Sequence, residues 1–99
     1  MKYFFHPKAK EEFIEAIIYY EECRPGLGLE FSKEIPSTIQ RIIHFPHSGV
    51  QFSKNTRRCL MKQFPFGVIY QFSEDKNEVI ILAIMQLNRA PDYWENRAK

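Results

Sequence analysis

The chain has 99 residues, 44% of them hydrophobic and 26% charged, and its formal net charge is +2. This length and composition are typical of one globular domain and exclude a disordered chain or two separate cores. The longest apolar run, Val79 to Met85, is too short to cross a bilayer, and the first residues lack a signal-peptide core. We therefore expect a single domain over residues 1–99, located in the cytoplasm and without membrane contact.

The first half of the sequence predicts a short strand followed by two helices. Lys2 to Phe5 is typical of a strand, and Pro7 stands where the first turn of a helix tolerates proline. From Lys8 to about Cys23, apolar residues recur at spacings of three and four, which predicts an amphipathic helix. A second helix is expected from about Leu27 to Phe45, with a kink at Pro36. The residues assigned to the solvent side of the first helix are Glu11, Glu12, Glu15, Glu21 and Glu22.

The second half changes to the alternation that is typical of strands. Residues 51–55 are interpreted as a loop, and strands are predicted over 57–63, 66–72 and 78–87. The last of these is apolar almost throughout, so we expect it at the centre of the sheet. A final helical turn is expected over residues 92–97. The order β-α-α-β-β-β predicts an α+β fold, with a helical hairpin packed on one face of a mainly antiparallel four-stranded sheet.

Basic residues gather in the second half, where the net charge is +3, against −1 for residues 1–50. Adjacent strands would bring these cations onto the sheet face opposite the helices, where guanidinium groups and aromatic rings can bind phosphates and unstacked bases. The candidates for binding nucleic acid or a target protein are Arg57, Arg58, Lys62, Arg89 and Trp94. The competing interpretation, favoured by composition alone, is that Arg58 and Lys62 protect an edge strand and Trp94 closes the core.

The sequence does not predict a metal, cofactor or nucleophile site. His44 and His47 are three residues apart, but Pro46 separates them and no further ligand stands nearby, so a helix end and polar loop are preferred. Cys23 and Cys59 are far apart and are interpreted as reduced structural thiols. No Gly-rich phosphate loop or catalytic triad signature is present. We therefore expect the protein to need no cofactor.

Short motifs follow one another along the whole chain in a characteristic order and spacing. They are His6-Pro7 with Ala9, Tyr19-Tyr20-Glu21, Phe31, Phe45-Pro46 with Gly49, Arg57-Arg58, Phe64 to Tyr70, Ala83 to Met85, and finally Arg89, Pro91 and Tyr93-Trp94. Together they resemble the RelE/ParE superfamily of small bacterial toxins from type II toxin–antitoxin pairs. The resemblance implies the fold given above. It also implies a partner, a short antitoxin protein encoded by the adjacent gene, whose docking segment we expect to be acidic.

Within the superfamily, the resemblance implies one of two activities. RelE-like members cut mRNA in the ribosomal A site, whereas ParE-like members poison DNA gyrase by binding it. The Arg57-Arg58 pair and the Phe-Pro-Phe-Gly-Val-Ile-Tyr segment, Phe64 to Tyr70, are closer to the ParE-like branch, so gyrase is the favoured target. The alternatives are a ribosome-dependent mRNA endonuclease and an inactive toxin-fold binding module.

If the protein is an enzyme, the resemblance implies an RNA cleavage in which a 2′-hydroxyl attacks the neighbouring phosphate. This reaction needs a base, a cation for the phosphate and an acid for the leaving oxygen. Gln86 argues against it, because many relatives have a histidine there and an amide does not exchange protons near neutral pH. The residues that would carry the reaction are Arg89, Tyr93, Lys62 and Lys54.

Arg89 is expected to matter in either active branch, because it directly follows the most apolar strand. The sheet would hold its backbone while its side chain reaches outward, and no buried partner is evident in the sequence. The competing interpretation is a structural clamp, with Arg89 stacked on Trp94 or paired with Asp92. Tyr93 and Trp94 either cover the core or frame the site beside the arginine.

Overall fold

The described part of the chain folds into two helices and five strands, which confirms the predicted α+β class and the helical hairpin. The structure is a computed structural model and describes residues 1–53, 55–89 and 92–98. In chain order its elements are β1 (Lys2–Phe5), α1 (Pro7–Cys23), α2 (Leu27–His44), β2 (Val50–Ser53), β3 (Thr56–Leu60), β4 (Phe66–Ser73) and β5 (Glu78–Gln86). A 3₁₀ turn, Glu95–Arg97, follows near the C-terminus.

The sheet has the strand order β1-β5-β4-β3-β2, which is one strand more than predicted. β1 runs parallel to β5, and every other neighbouring pair is antiparallel, as expected for a mainly antiparallel sheet. The missing strand was β2, which we interpreted as a loop. All four of its residues are exposed, and it lies at the edge of the sheet beside β3. Its sequence, Val50-Gln51-Phe52-Ser53, alternates apolar and polar residues, but four residues directly after Ser48 and Gly49 are too few to distinguish a strand from a loop.

The two helices begin and end where local chemistry allows. His6 caps α1, because its Nδ1 accepts a hydrogen bond from the backbone N–H of Lys8 at 3.1 Å, and Pro7 starts the first turn. Gly26, with a φ of 90°, reverses the chain between the helices. The carboxylate of Glu21 accepts hydrogen bonds from the backbone N–H groups of Gly26 and Gly28, which ties the end of α1 to the start of α2.

The larger core lies between the helical hairpin and one face of the sheet. α2 remains a single helix through Pro36, as predicted, and buries its apolar stripe there. The side chains that fill this first core are Ala9, Ala16, Phe31, Ile35, Ile39, Ile42, Met61, Phe64, Phe66, Val68, Tyr70, Val79, Ile81 and Ile84. The alternation of β4 therefore points Phe66, Val68 and Tyr70 towards the helices.

A second, smaller core lies on the opposite face of the sheet, under the C-terminal segment (residues 92–98). Trp94 is 2% exposed and packs with Ile69, Leu82, Ala83 and Met85. Tyr93 and Ala98 lie at the margin of this group. Both faces of β5 are thus buried, as its continuous apolar sequence predicted, by two helices on one side and by a short segment on the other.

Candidate functional site

Arg89 lies just beyond β5 and has two partners, of which the sequence suggested Tyr93 and did not reveal Glu12. Its guanidinium carbon is 3.8 Å from the centroid of the Tyr93 ring, within the range of a cation–π contact. Its Nη1 is 3.8 Å from a carboxylate oxygen of Glu12, while its side chain remains 56% exposed. No buried partner was evident in the sequence, yet the largely buried carboxylate of Glu12 lies beside the guanidinium. Among the described residues, its observed partners are Tyr93 and Glu12 rather than Trp94 or Asp92.

Glu12 is the most connected side chain of this region. Its Oε1 accepts hydrogen bonds from the backbone N–H of Ile84 and from Nη1 of Arg97, each at 3.0 Å. Its Oε2 accepts a further bond from Nη2 of Arg97 at 3.3 Å. The side chains of Glu12 and Arg97 are both only 12% exposed. Our assignment of Glu12 to the solvent side of α1 was wrong.

The ends of the strands explain why charged side chains are buried here. β1 pairs with β5 only from Glu78 to Ile81, so β5 continues past the end of its neighbour. Buried backbone groups need partners, and side chains supply them at this point. Glu12 accepts from the N–H of Ile84, and Nη1 of Arg97 donates to the carbonyl of Leu82 at 3.0 Å. The ion pair thereby completes the edge of the sheet.

Tyr93 lies against both arginines. The guanidinium carbon of Arg97 is 5.1 Å from its ring centroid, in addition to the contact with Arg89. Burial, followed by the neighbouring Glu12 carboxylate, raises the pKa of Tyr93 well above its ordinary value, although both arginines act in the opposite direction. Its hydroxyl therefore keeps its proton at neutral and moderately alkaline pH. We call Glu12, Arg89, Tyr93 and Arg97 the arginine–tyrosine cluster.

A crevice of about 300 Å³ opens beside this cluster, between α1 and the end of β5. We call it the Arg89 crevice. Arg89 and two carboxylates are its charged groups, and aromatic and aliphatic side chains complete its walls. Its lining residues are Glu12, Glu15, Ala16, Tyr19, Phe66, Ile84, Gln86 and Arg89. Because Arg89 is half-exposed here, a bound partner can reach its guanidinium.

The other candidate cations do not join Arg89. Nη1 of Arg57 donates to the carbonyls of His47 and Gly49, at 3.0 and 2.9 Å, and so holds the chain that leads into β2. β3 ends at Leu60, so the predicted strand to residue 63 was too long and Lys62 lies beyond it. Lys62 lines a different crevice with α2 residues, and its backbone N–H is bonded to Glu34. Lys54 falls outside the described residues.

Arg58 and Trp94 belong to the second face of the sheet. Phe52 stacks on Trp94 with ring centroids 6.0 Å apart, and the guanidinium carbon of Arg58 lies 4.8 Å from the Phe52 centroid. Gly67 leaves room for the aliphatic stem of Arg58, because a Cβ there would lie 2.9 Å from its Cγ. Trp94 covers the core, while Tyr93 frames the arginine. The two roles that the sequence left open are thus divided between the neighbouring residues.

Sequence reasoning missed Glu12 and Arg97, yet one signal for Glu12 was present. Glu12 lies three residues after Ala9 and four before Ala16, and both alanines are buried. This spacing places Glu12 at the border of the apolar stripe, where a carboxylate reaches buried donors. Arg97 has no comparable signal, because its role depends on where the C-terminal segment folds back.

Two further features of the described residues bear on function. Among residues 1–53, 55–89 and 92–98, no group of three or more His, Cys, Asp or Glu side chains is placed to hold a metal ion. His44 and His47 instead contact Gln40 and Glu74. Within the same ranges, no helix combines the length and apolar character that a membrane span requires.

Comparison with known proteins identifies the family. Residues 3–91 match the family model described as the ParE toxin of the type II toxin–antitoxin system parDE. The chain therefore belongs to the ParE toxin family, and an antitoxin protein is the partner that this family implies. No curated protein matches the sequence.

Two solved structures share the fold. A chain of the chromosomal ParDE toxin–antitoxin system from P. aeruginosa superimposes with a TM-score of 0.75 at 16% identity, covering 89% of this chain and 97% of that one. The isolated E. coli RelE toxin superimposes with a TM-score of 0.66 at 13% identity, covering 96% of this chain and 93% of that one. At these identities the likeness shows the fold alone.

Proposed function

We propose that the protein is a growth-inhibiting toxin that acts in the cytoplasm by binding DNA gyrase rather than by cutting RNA. The observation that carries this proposal is the dispersal of the candidate catalytic residues. Arg89 lies at the Arg89 crevice beside α1, whereas Lys62 lines the crevice beside α2. Membership of the ParE family supports the same choice.

The chemistry of each candidate also supports binding. RNA cleavage needs groups that exchange protons near neutral pH. Burial raises the pKa of Tyr93, so its hydroxyl stays protonated and does not exchange its proton near neutral pH, and its ring lies against Arg89. Gln86, which lines the Arg89 crevice, has an amide that cannot exchange protons in this range. A half-exposed arginine on a rigid support is well suited to bind a carboxylate or phosphate of a target.

The antitoxin, in this proposal, covers an apolar stripe on α1. Ile14 and Ile18 are 48% and 55% exposed and four residues apart, so they lie on one face of the helix, and neighbouring Tyr19 is 59% exposed. Such exposed apolar groups on a small protein typically mark a docking surface. Glu15 lies beside the stripe, three residues before Ile18, and favours a basic residue in that part of the partner. The acidic part of the antitoxin is then expected at Arg89.

The docking surface is tested by co-expression with the protein encoded next to the toxin gene. The wild-type chain is expected to co-purify with it, and the Ile18→Asp variant is expected to lose the complex because a buried carboxylate would be unpaired. Leu29→Asp, at a similarly exposed apolar residue of α2, is the matched control. If wild type and Ile18→Asp co-purify equally well with the partner, this face of α1 is not part of the interface.

The cellular target is tested by expressing the chain without antitoxin and examining gyrase and mRNA in the same cells. We expect growth arrest with stalled gyrase–DNA complexes and intact mRNA. If mRNA is cut only during translation, RNA cleavage becomes the favoured activity and gyrase binding becomes the alternative. Harmless expression of folded protein would favour the inactive binding module. In the same assay, Arg89→Ala is compared with Arg24→Ala. The second variant removes an exposed arginine from the α1–α2 turn and so controls for a general loss of positive charge.

A further inference from the structure

A single carboxylate joins the three segments that meet at Arg89. Glu12 belongs to α1, accepts the N–H of Ile84 in β5, and holds Arg97 in the C-terminal segment. Its second oxygen also faces Arg89. Arg97 and Tyr93 lie beyond residue 91, where the match to the family model ends. This connection therefore includes residues outside the matched range.

The two arginines do not share the carboxylate equally. Arg97 makes two charge-assisted hydrogen bonds to Glu12 and is 12% exposed, so the pair is desolvated and specific in geometry. Arg89 reaches the carboxylate only at 3.8 Å and is 56% exposed. Arg97 bonds both oxygens of Glu12, so Arg89 is the guanidinium that stays half-exposed and able to meet an external ligand, beside the carboxylate of Glu15 in the Arg89 crevice.

We propose that Glu12 is a positioning residue for Arg89. Its carboxylate fixes Arg97 and the C-terminal segment, which places the Tyr93 ring under the Arg89 guanidinium at the mouth of the Arg89 crevice. An anionic group of the target then meets a guanidinium whose orientation is already set, so less conformational entropy is lost on binding. The inference rests on the proposed function, because it assumes that Arg89 contacts the target.

A competing role for Glu12 makes the opposite forecast. If Glu12 only weakened the positive field around Arg89, then Glu12→Gln would strengthen binding to an acidic surface. If Glu12 positions Arg89, the same substitution weakens binding although the chain becomes more positive. Groups that orient a functional side chain typically contribute about tenfold or more to its activity. The sign of the change therefore separates the two roles.

The experiment compares Glu12→Gln with Glu11→Gln, which changes the net charge equally at an exposed neighbouring position. Growth inhibition and affinity for purified gyrase are measured for both variants. We expect Glu12→Gln to lose about tenfold in affinity and Glu11→Gln to stay within about twofold of wild type. In an Arg89→Ala background, adding Glu12→Gln should lower the affinity by less than a further factor of about two, because the two residues act as one unit.

Two further measurements separate positioning from unfolding. Thermal unfolding of each variant gives the folded fraction, and affinities are compared per folded molecule. Ultraviolet titration should give a lower pKa for Tyr93 in Glu12→Gln than in Glu11→Gln, because the neighbouring carboxylate is gone. Arg97→Lys keeps the charge but loses the forked pair of bonds, so we expect an intermediate loss of affinity.

The inference is overturned if folded Glu12→Gln binds gyrase as well as wild type or better, or if its loss persists undiminished in the Arg89→Ala background. Failure of the wild-type chain to bind gyrase would instead overturn the proposed target. In that case the growth-inhibition series with the same variants decides the role of Glu12, because it depends on Arg89 and not on the identity of the target. A wild type that is folded and harmless overturns both.

Discussion

The two faces of the sheet are covered in different ways. One face lies under two helices and buries an aromatic and aliphatic core centred on Phe31. The other lies under residues 92–98, whose only fully buried side chain is that of Trp94. The first cover is two long helices with many buried apolar side chains, whereas the second is a short segment held mainly by Trp94, by the ion pair of Arg97 with Glu12 and by the bond from Arg97 to the carbonyl of Leu82. The helix-covered face therefore provides most of the stability of the fold, and the second face holds Arg89 in position.

The two faces of the sheet contribute differently to stability and to the candidate site. The helix-covered face supplies most of the buried apolar area, and so most of the free energy of folding. The C-terminal segment adds less area but brings Tyr93 and Arg97 to Arg89. Elements with few buried contacts open more easily than the core, so the second face is expected to open first.

The largest expected effects come from truncating the central aromatic residue of each face. Phe31→Ala and Trp94→Ala should each lower the free energy of unfolding by about 3–5 kcal/mol, the usual range for buried aromatic residues. Trp94→Ala should be the milder change, because the C-terminal segment can detach while the first core remains. Chemical denaturation followed by far-ultraviolet circular dichroism measures both, and Phe45→Ala, at a residue that is 66% exposed, is the control.

The only tryptophan of the sequence, Trp94, allows the same comparison within the wild-type protein. Its fluorescence reports on the second face, whereas circular dichroism reports mainly on the helices. We expect the fluorescence transition to occur at a lower denaturant concentration than the dichroism transition. Coincident transitions would mean that the two faces unfold as one unit and would contradict the proposed division.

A smaller effect is expected at the polar anchor of the helix-covered face. The hydroxyl of Tyr70 donates to the carbonyl of Pro46 at 2.7 Å and accepts from the N–H of Gly49 at 3.2 Å. Tyr70→Phe should lower the free energy of unfolding by about 1–2 kcal/mol, because buried backbone groups lose their partner. Thermal unfolding gives the value. An unchanged midpoint would show that these two hydrogen bonds add nothing to the stability of the fold.

Alkaline pH should destabilise the second face through Tyr93. In the folded protein the pKa of Tyr93 is raised above its ordinary value of 10.0, so the folded state favours the protonated phenol. That contribution is complete below about pH 10 and is lost as the pH rises further, because the unfolded chain then releases the proton first. Tyr93→Phe should therefore lose stability less steeply than wild type above this pH. Tyr3→Phe, at an exposed residue, should follow wild type.

Regular patterns account for what the sequence predicted correctly about the fold. The stripe of α2, with Phe31, Ile35 and Ile39, follows the helical period, and β5 is apolar on both faces, so their placement follows from spacing alone. β2 was not predicted, because it is a strand of only four residues, all exposed at the edge of the sheet. Its pairing with β3 depends on a neighbouring strand, which periodicity along one segment cannot reveal.

The site was less predictable, because its contacts join distant parts of the chain. Glu12 and Arg97 are 85 residues apart, and no local pattern connects them. Arg57 and Arg58 are adjacent, yet one holds backbone carbonyls near β2 and the other lies over Phe52 on the second face. The sequence correctly identified where Arg89 leaves the sheet. It did not contain the information that Glu12 and Tyr93 hold its side chain.

The most direct test of the account is Arg89→Ala, examined for gyrase binding and thermal stability on the same preparation. We predict that affinity falls by about tenfold or more, as expected for a central arginine of an interface. The melting temperature should change by less than about 5 °C, because the side chain is half-exposed and its ion pair is long. Arg89→Lys should restore only part of the affinity. A markedly lower melting temperature, with unchanged affinity per folded molecule, would make Arg89 a structural clamp and contradict the account.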